Sequence, residues 1–283
     1  MESSKKQLPA TKTVFKECGA CSHTFAHILN REFGNPNELT ELALNPLAGG
    51  IMNQSQQCGM IWGAESYRRH KDQGLATAVA IRATKELITS FEKRSKTVNC
   101  AEILGYSLSN ILGIARLMVS TTLKGMENSK CFDLAEAWAP ESIQSAREGL
   151  DRSDTPVTEK PMSCASEVVR KMGGSEEEIL MVAGFAGGLG LSGNACGALS
   201  AAIWMQTLQW CRKNPGKMPP YFNNKPAKQI LKTFKKLTGS EMLCKNITGR
   251  EFENINCHSS YLKSGGCEEL MNGLENTALK HEE

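Results

Sequence analysis

The chain has 283 residues and a formal net charge of +3, with 40% hydrophobic and 6% aromatic residues. That length supports one large or two ordinary domains, each with its own core, and so mild a charge excludes the basic excess of a dedicated nucleic-acid binder. Few aromatics, plentiful helix formers and no recurring β-branched runs exclude an all-β protein and predict an all-α one. No apolar stretch reaches the ~18 residues of a bilayer span, and Met1 to Lys12 lacks the apolar centre of a signal peptide. The expectation is a soluble, cytoplasmic protein with no membrane span.

In chain order, residues 1–16 are a polar tail, expected to be poorly ordered. A first helix is expected from about Cys18 to Phe33, broken by Gly34-Asn35-Pro36-Asn37. Glu38 to Leu47 and a loop at Gly49-Gly50 follow, and Cys58 then opens a helical stretch through Trp62, Ala64 and Tyr67. Gln73 to Lys93 is a long amphipathic helix, Ile111 to Leu123 an apolar one, and Phe132 to Ser145 another. Residues 148–162 carry Asp151, Arg152, Asp154, Pro156, Glu159, Lys160 and Pro161 with little that is apolar, which marks a linker. The order of features then restarts, giving a first repeat over 17–147 and a second over 163–283.

The duplication is carried by cysteines. Gly49-Gly50 precedes Cys58-Gly59 by the same interval as Gly187-Gly188 precedes Cys196-Gly197, and Cys100 precedes Gly105 as Cys244 precedes Gly249. Matching the halves pairs Cys21 with Cys164, Cys58 with Cys196, Cys100 with Cys244 and Cys131 with Cys257, and leaves Cys18, Cys211 and Cys267 unmatched. Two such units suggest a pseudo-twofold internal dimer. Eleven cysteines in a reducing compartment point to metal, cluster or redox chemistry, against the plainer alternative of buried free thiols. Cys58 and Cys196 open helices, where unpaired N–H groups and the dipole favour thiolate; they are the expected exposed, reactive thiols.

Other motifs weigh less. Gly188-Leu189-Gly190-Leu191-Ser192-Gly193 matches the dinucleotide fingerprint, but no Asp or Glu occurs from Asn194 to Ser240, where the ribose partner belongs. Gly59 and Gly63, four apart, leave a small-residue strip that suits helix packing or a cofactor. His23 and His27 could add ligands near Cys21, yet the second repeat has Ser166 and Arg170 there, which favours ordinary histidines. Lysines and arginines outnumber acids after Cys58 and Cys196, a solvated face or a dock for an acidic partner.

The four spaced cysteines, the Gly-Gly before the second and Cys196-Gly197-Ala198 together resemble the C_GCAxxG_C_C family of redox-active proteins, whose members are typically single units of half this length. The chain departs from the pattern at Met60, in place of Ala, and at Ala201, in place of the last Gly. The resemblance implies a cysteine-based redox protein, by thiol/disulfide exchange or by iron–sulfur electron transfer. Cys58 and Cys196 would then be the reactive thiols or metal ligands, with Cys21, Cys100, Cys131, Cys164, Cys244 and Cys257 as resolving thiols or further ligands. It also implies a redox or transporter partner protein. The alternatives are a non-catalytic soft-metal-binding or transporter-accessory module, and a helical interaction protein with buried cysteines.

Overall fold

A computed structural model describes residues 10–64, 73–151, 161–221 and 223–280. Among these the chain forms fifteen α-helices and no strand beyond two isolated bridges, so it is all-α. Helix α1 (Thr11–Cys18) leads into the first repeat, which holds α2 (Cys21–Glu32), α3 (Glu38–Leu42), α4 (Gly59–Gly63), α5 (Gln73–Ser95), α6 (Cys100–Leu104), α7 (Ile111–Lys124) and α8 (Lys130–Asp151). The second holds α9 (Cys164–Lys171), α10 (Glu176–Met181), α11 (Gly197–Lys213), α12 (Lys225–Leu237), α13 (Cys244–Thr248), α14 (Ile255–Lys263) and α15 (Glu268–Leu279).

Helix starts follow from side chains that replace the missing backbone acceptors. Asn37, Asn99 and Asn110 accept N–H groups at the starts of α3, α6 and α7, and Ser163, Asn224 and Asn254 do so for α9, α12 and α14. Ser175 and Glu178 form a reciprocal capping box at α10. The long helices then pair, α5 along α8 in the first repeat and α12 along α15 in the second. On α12 the buried residues are Ala227, Ile230, Leu231 and Phe234, so its lysines occupy the outer face of an amphipathic helix.

One apolar core runs through both repeats. Trp62 meets the ring of Phe185 edge-on at 4.9 Å, and the Trp204 indole N–H donates to the Thr40 carbonyl at 3.2 Å. Both contacts join residues of different repeats, and both tryptophans are buried.

Several sequence expectations change. The polar tail is helical from Thr11, because Val14, Phe15 and Cys18 fall on one face and bury it, with Phe15 stacked on Phe132 at 4.0 Å. The expected helix from Cys58 to Tyr67 is α4 up to Gly63; Tyr67 lies outside the described residues. Of the expected linker, 148–151 belong to α8, 152–160 lie outside the described residues, and Met162 donates its N–H to Ser259 Oγ at 2.9 Å. Helix α7 forms as expected, but Ile111, Leu112, Met118, Val119 and Leu123 are exposed on it.

His258, on α14, helps dock the segment that enters the second repeat. It is buried, lies edge-on against Phe252, and its Nδ1 is 3.4 Å from the Met162 carbonyl. Burial lowers its pKa to about 4, partly offset by that carbonyl. A base with a depressed native pKa stabilises the fold fully above its unfolded pKa near 6.5; that stability is lost as pH falls toward 4. Urea unfolding at pH 7.5 and pH 4 should therefore differ by about 3 kcal/mol more in the native chain than in His258→Gln.

Candidate functional site

The second and third cysteines of each repeat are fixed by the same backbone pairing. Cys58 donates its N–H to Val98 at 2.8 Å and Cys100 donates to Gln56 at 2.8 Å; Cys196 donates to Met242 at 3.0 Å and Cys244 to Asn194 at 2.6 Å. The Gly-Gly turn makes this possible. Gly50 and Gly188 have φ of +72° and +81°, and a Cβ on Gly188 would lie 2.6 Å from the Asn194 carbonyl and 2.9 Å from Cys244 Cβ. Only glycine fits such a left-handed, crowded position. The amides of the glycine-rich loop are used internally, for instance Gly190 to Gly184 at 2.7 Å and Gly193 to Gly187 at 3.0 Å, which leaves no cradle for a phosphate.

In the first repeat Cys21, Cys58, Cys100 and Cys131 fall within reach of one another's charges. Cys58 S–H donates to Cys21 Sγ, which also accepts the backbone N–H groups of Gly49 and Ser22, and these bonds outweigh burial and lower the Cys21 pKa. The same bond, with burial, holds the Cys58 proton in place. Burial, and after it the charge of Cys21, raises Cys100 and raises Cys131 to about 12. Tyr221, from the second repeat, reaches this set. Its hydroxyl donates to Asn53 Oδ1 at 3.2 Å, and its pKa is raised by burial and then by Cys21, Cys100 and Cys131.

In the second repeat the group is Cys164, Cys196, Cys244 and Cys267. Burial raises Cys164 and Cys244, and it raises Cys196 to about 12 against the N–H groups of Leu199 and Ala198. Cys164 and Cys244 also feel Cys196 and Cys267. Cys267 is raised by burial and lowered in part by a hydrogen bond from the Tyr261 hydroxyl. Cys257, the expected fourth member, lies elsewhere: it is exposed, third in α14, with its own N–H bonded to Asn254 Oδ1 at 3.0 Å.

One further expectation is corrected, and one is narrowed to its helix-packing alternative. Cys58 and Cys196 do open helices, but they are 4% and 6% exposed and carry raised pKa values: the hydrogen bond to Cys21 and then burial raise Cys58, and at Cys196 burial outweighs what one helix start provides. The thiol that leans toward thiolate is Cys21. The Gly59 and Gly63 strip is a packing surface: a Cβ on Gly63 would sit 1.8 Å from the Ser22 carbonyl, and one on Gly59 2.7 Å from Cys21 Sγ.

All eight grouped cysteines sit at helix starts. Cys21, Cys100, Cys164 and Cys244 are first residues, Cys131 is second, and Cys58, Cys196 and Cys267 are N-caps. The three tyrosines were not visible from the sequence. Tyr106 follows Gly105 beside Cys131 and Cys100, with Arg116 4.7 Å over its ring; Tyr261 lies beside Cys267 with Arg250 5.1 Å over it. A signal for Cys267 did exist: Cys131 follows Cys100 by 31 residues, and Cys267 follows Cys244 by 23, against only 13 for Cys257.

The fold and site define a class: an all-helical protein with two sets of four cysteines at helix starts, the members of each set within reach of one another's charges. A family model described as "Putative redox-active protein (C_GCAxxG_C_C)" matches residues 20–140 and again 162–279, and the chain belongs to that family as a tandem pair. No curated protein and no solved structure matches the chain. No helix among the described residues is long and apolar enough to cross a membrane.

Proposed function

We propose that the protein transfers electrons through two iron–sulfur clusters, one held by Cys21, Cys58, Cys100 and Cys131 and the other by Cys164, Cys196, Cys244 and Cys267. The observation that carries this reading is the convergence, in each repeat, of four cysteines from four helix starts. Thiolate-only donor sets suit such clusters, and helix starts offer N–H groups and positive dipole ends to bound negative charge. Burial, led at Cys58 by the hydrogen bond to Cys21, raises the pKa of seven of the eight thiols, so a soft cation that displaces those protons would be coupled to folding. A bound cluster would supply a one-electron couple. The chain's own part is to exclude water and, through Tyr261, to donate a hydrogen bond to sulfur, which tunes a redox potential. Such a role calls for a redox partner protein.

The test is a visible spectrum with iron and sulfide analysis on protein purified without oxygen. Two clusters per chain, with charge-transfer bands and matching sulfide, are expected. A colourless, metal-free protein would overturn the cluster, and zinc alone would favour a non-catalytic metal-binding or transporter-accessory module.

A second reading has its own support. The Cys58-to-Cys21 hydrogen bond pairs a thiol with a sulfur whose pKa is lowered, the arrangement that thiol/disulfide exchange uses. A Cys21–Cys58 disulfide formed reversibly in metal-free protein would favour it.

A further inference from the structure

Helix α2 has a second use for its N-terminal half. At about 100° per residue, His23 and His27 lie only ~40° apart on the helix, while His23 is ~200° from Cys21. Their face therefore points away from the first four-cysteine set. The chain reverses at Gly19, where φ is +73°, and this brings Cys18, the last residue of α1, against that face. The donor atoms of Cys18, His23 and His27 all lie within 4.8 Å of one another.

Both rings are already oriented from behind. His23 Nδ1 is 3.3 Å from the Cys18 carbonyl, and His27 Nδ1 is 3.3 Å from Glu41 Oε2. An oxygen at Nδ1 fixes Nε2 as the nitrogen left to ligate, the arrangement that metal-binding histidines show. The Glu41 carboxylate is itself buried and held by Arg31, Asn30 and the Asn37 N–H, so it is a rigid acceptor with its charge compensated. Cys18 and His23 are buried and His27 is half-buried.

We propose that Cys18, His23 and His27 form a zinc site, separate from the four-cysteine sets and private to the first repeat. One thiolate and two imidazoles are a zinc donor set, and a water completes four-coordination. At the matching positions the second repeat has Pro161, Ser166 and Arg170, which cannot bind the ion. Zinc here clips the end of α1 to α2 and so steadies the turn that positions Cys21.

The test uses the full chain labelled with nitrogen-15 at histidine and titrated with zinc to saturation. The four-cysteine sets contain no histidine, so metal entering them moves no imidazole signal. The expected result is that the Nε2 signals of two of the five histidines shift to metal-bound positions. His27→Gln, a change at a half-buried position, should lose one of those signals and weaken binding of the ion at this site by ~10-fold or more; Cys18→Ser should weaken it similarly. If no imidazole signal responds at saturation, or if those that respond are His70, His258 or His281, the proposal is overturned.

Discussion

If each four-cysteine set holds a cluster as proposed, replacing Cys267 by serine should remove half of the iron and sulfide from protein purified without oxygen, whereas replacing Cys257 should leave both unchanged. Cys267 lies within reach of the charges of Cys164, Cys196 and Cys244 and accepts a hydrogen bond from Tyr261; Cys257 is exposed on α14. Cys267 is also a non-glycine residue at φ of +60°, after Gly265 and Gly266. A side chain held there costs about 1 kcal/mol or more, so its position is set by something other than local backbone preference. Cys267→Gly separates the two contributions: it relieves the backbone and keeps the fold, yet still loses the second cluster. Loss of iron from Cys257→Ser, with Cys267→Ser intact, would refute the grouping.

Gly63→Ala should cost about 3 kcal/mol, as overpacking at backbone contact does, and lower the thermal midpoint by roughly 6–12 °C in a chain of this size. The added Cβ would stand 1.8 Å from the Ser22 carbonyl, which is backbone and cannot swing aside, so α4 must move off α2. Those two helices carry Cys58 and Cys21, so a cluster held there as proposed should be lost while one held by the second set stays. Differential scanning calorimetry with iron analysis reads both effects. A midpoint within a degree of the native chain would show that the glycine strip is not a packing constraint.

The repeat, the all-helical class and seven of the eight grouped cysteines could be seen in the sequence, because equal spacings around Cys58 and Cys196 report equal backbone pairing. Cys267 was hidden because the last helices of the two repeats begin at different intervals after the third cysteine, so matching by order selected Cys257. Helix-start chemistry placed Cys58 and Cys196 at helix N-termini but misjudged their exposure, since burial depends on what the rest of the chain lays over them. Helix α1 was hidden by its polar composition, as three apolar residues on one face suffice when Phe132 is there to receive Phe15. Tyr221 was beyond reach for a different reason: it meets the first cysteine set from the other repeat, and no local pattern records that.

That last contact gives the covalent linkage of the repeats a meaning. In an assembly of identical units, every substitution near one centre is made near its twin. Here Tyr221 faces one set and Tyr261 donates to a sulfur of the other, so each can be changed alone. Inheritance can therefore adjust one centre while its sibling is held constant, and two centres of unequal potential could give electrons a direction of travel through a single chain.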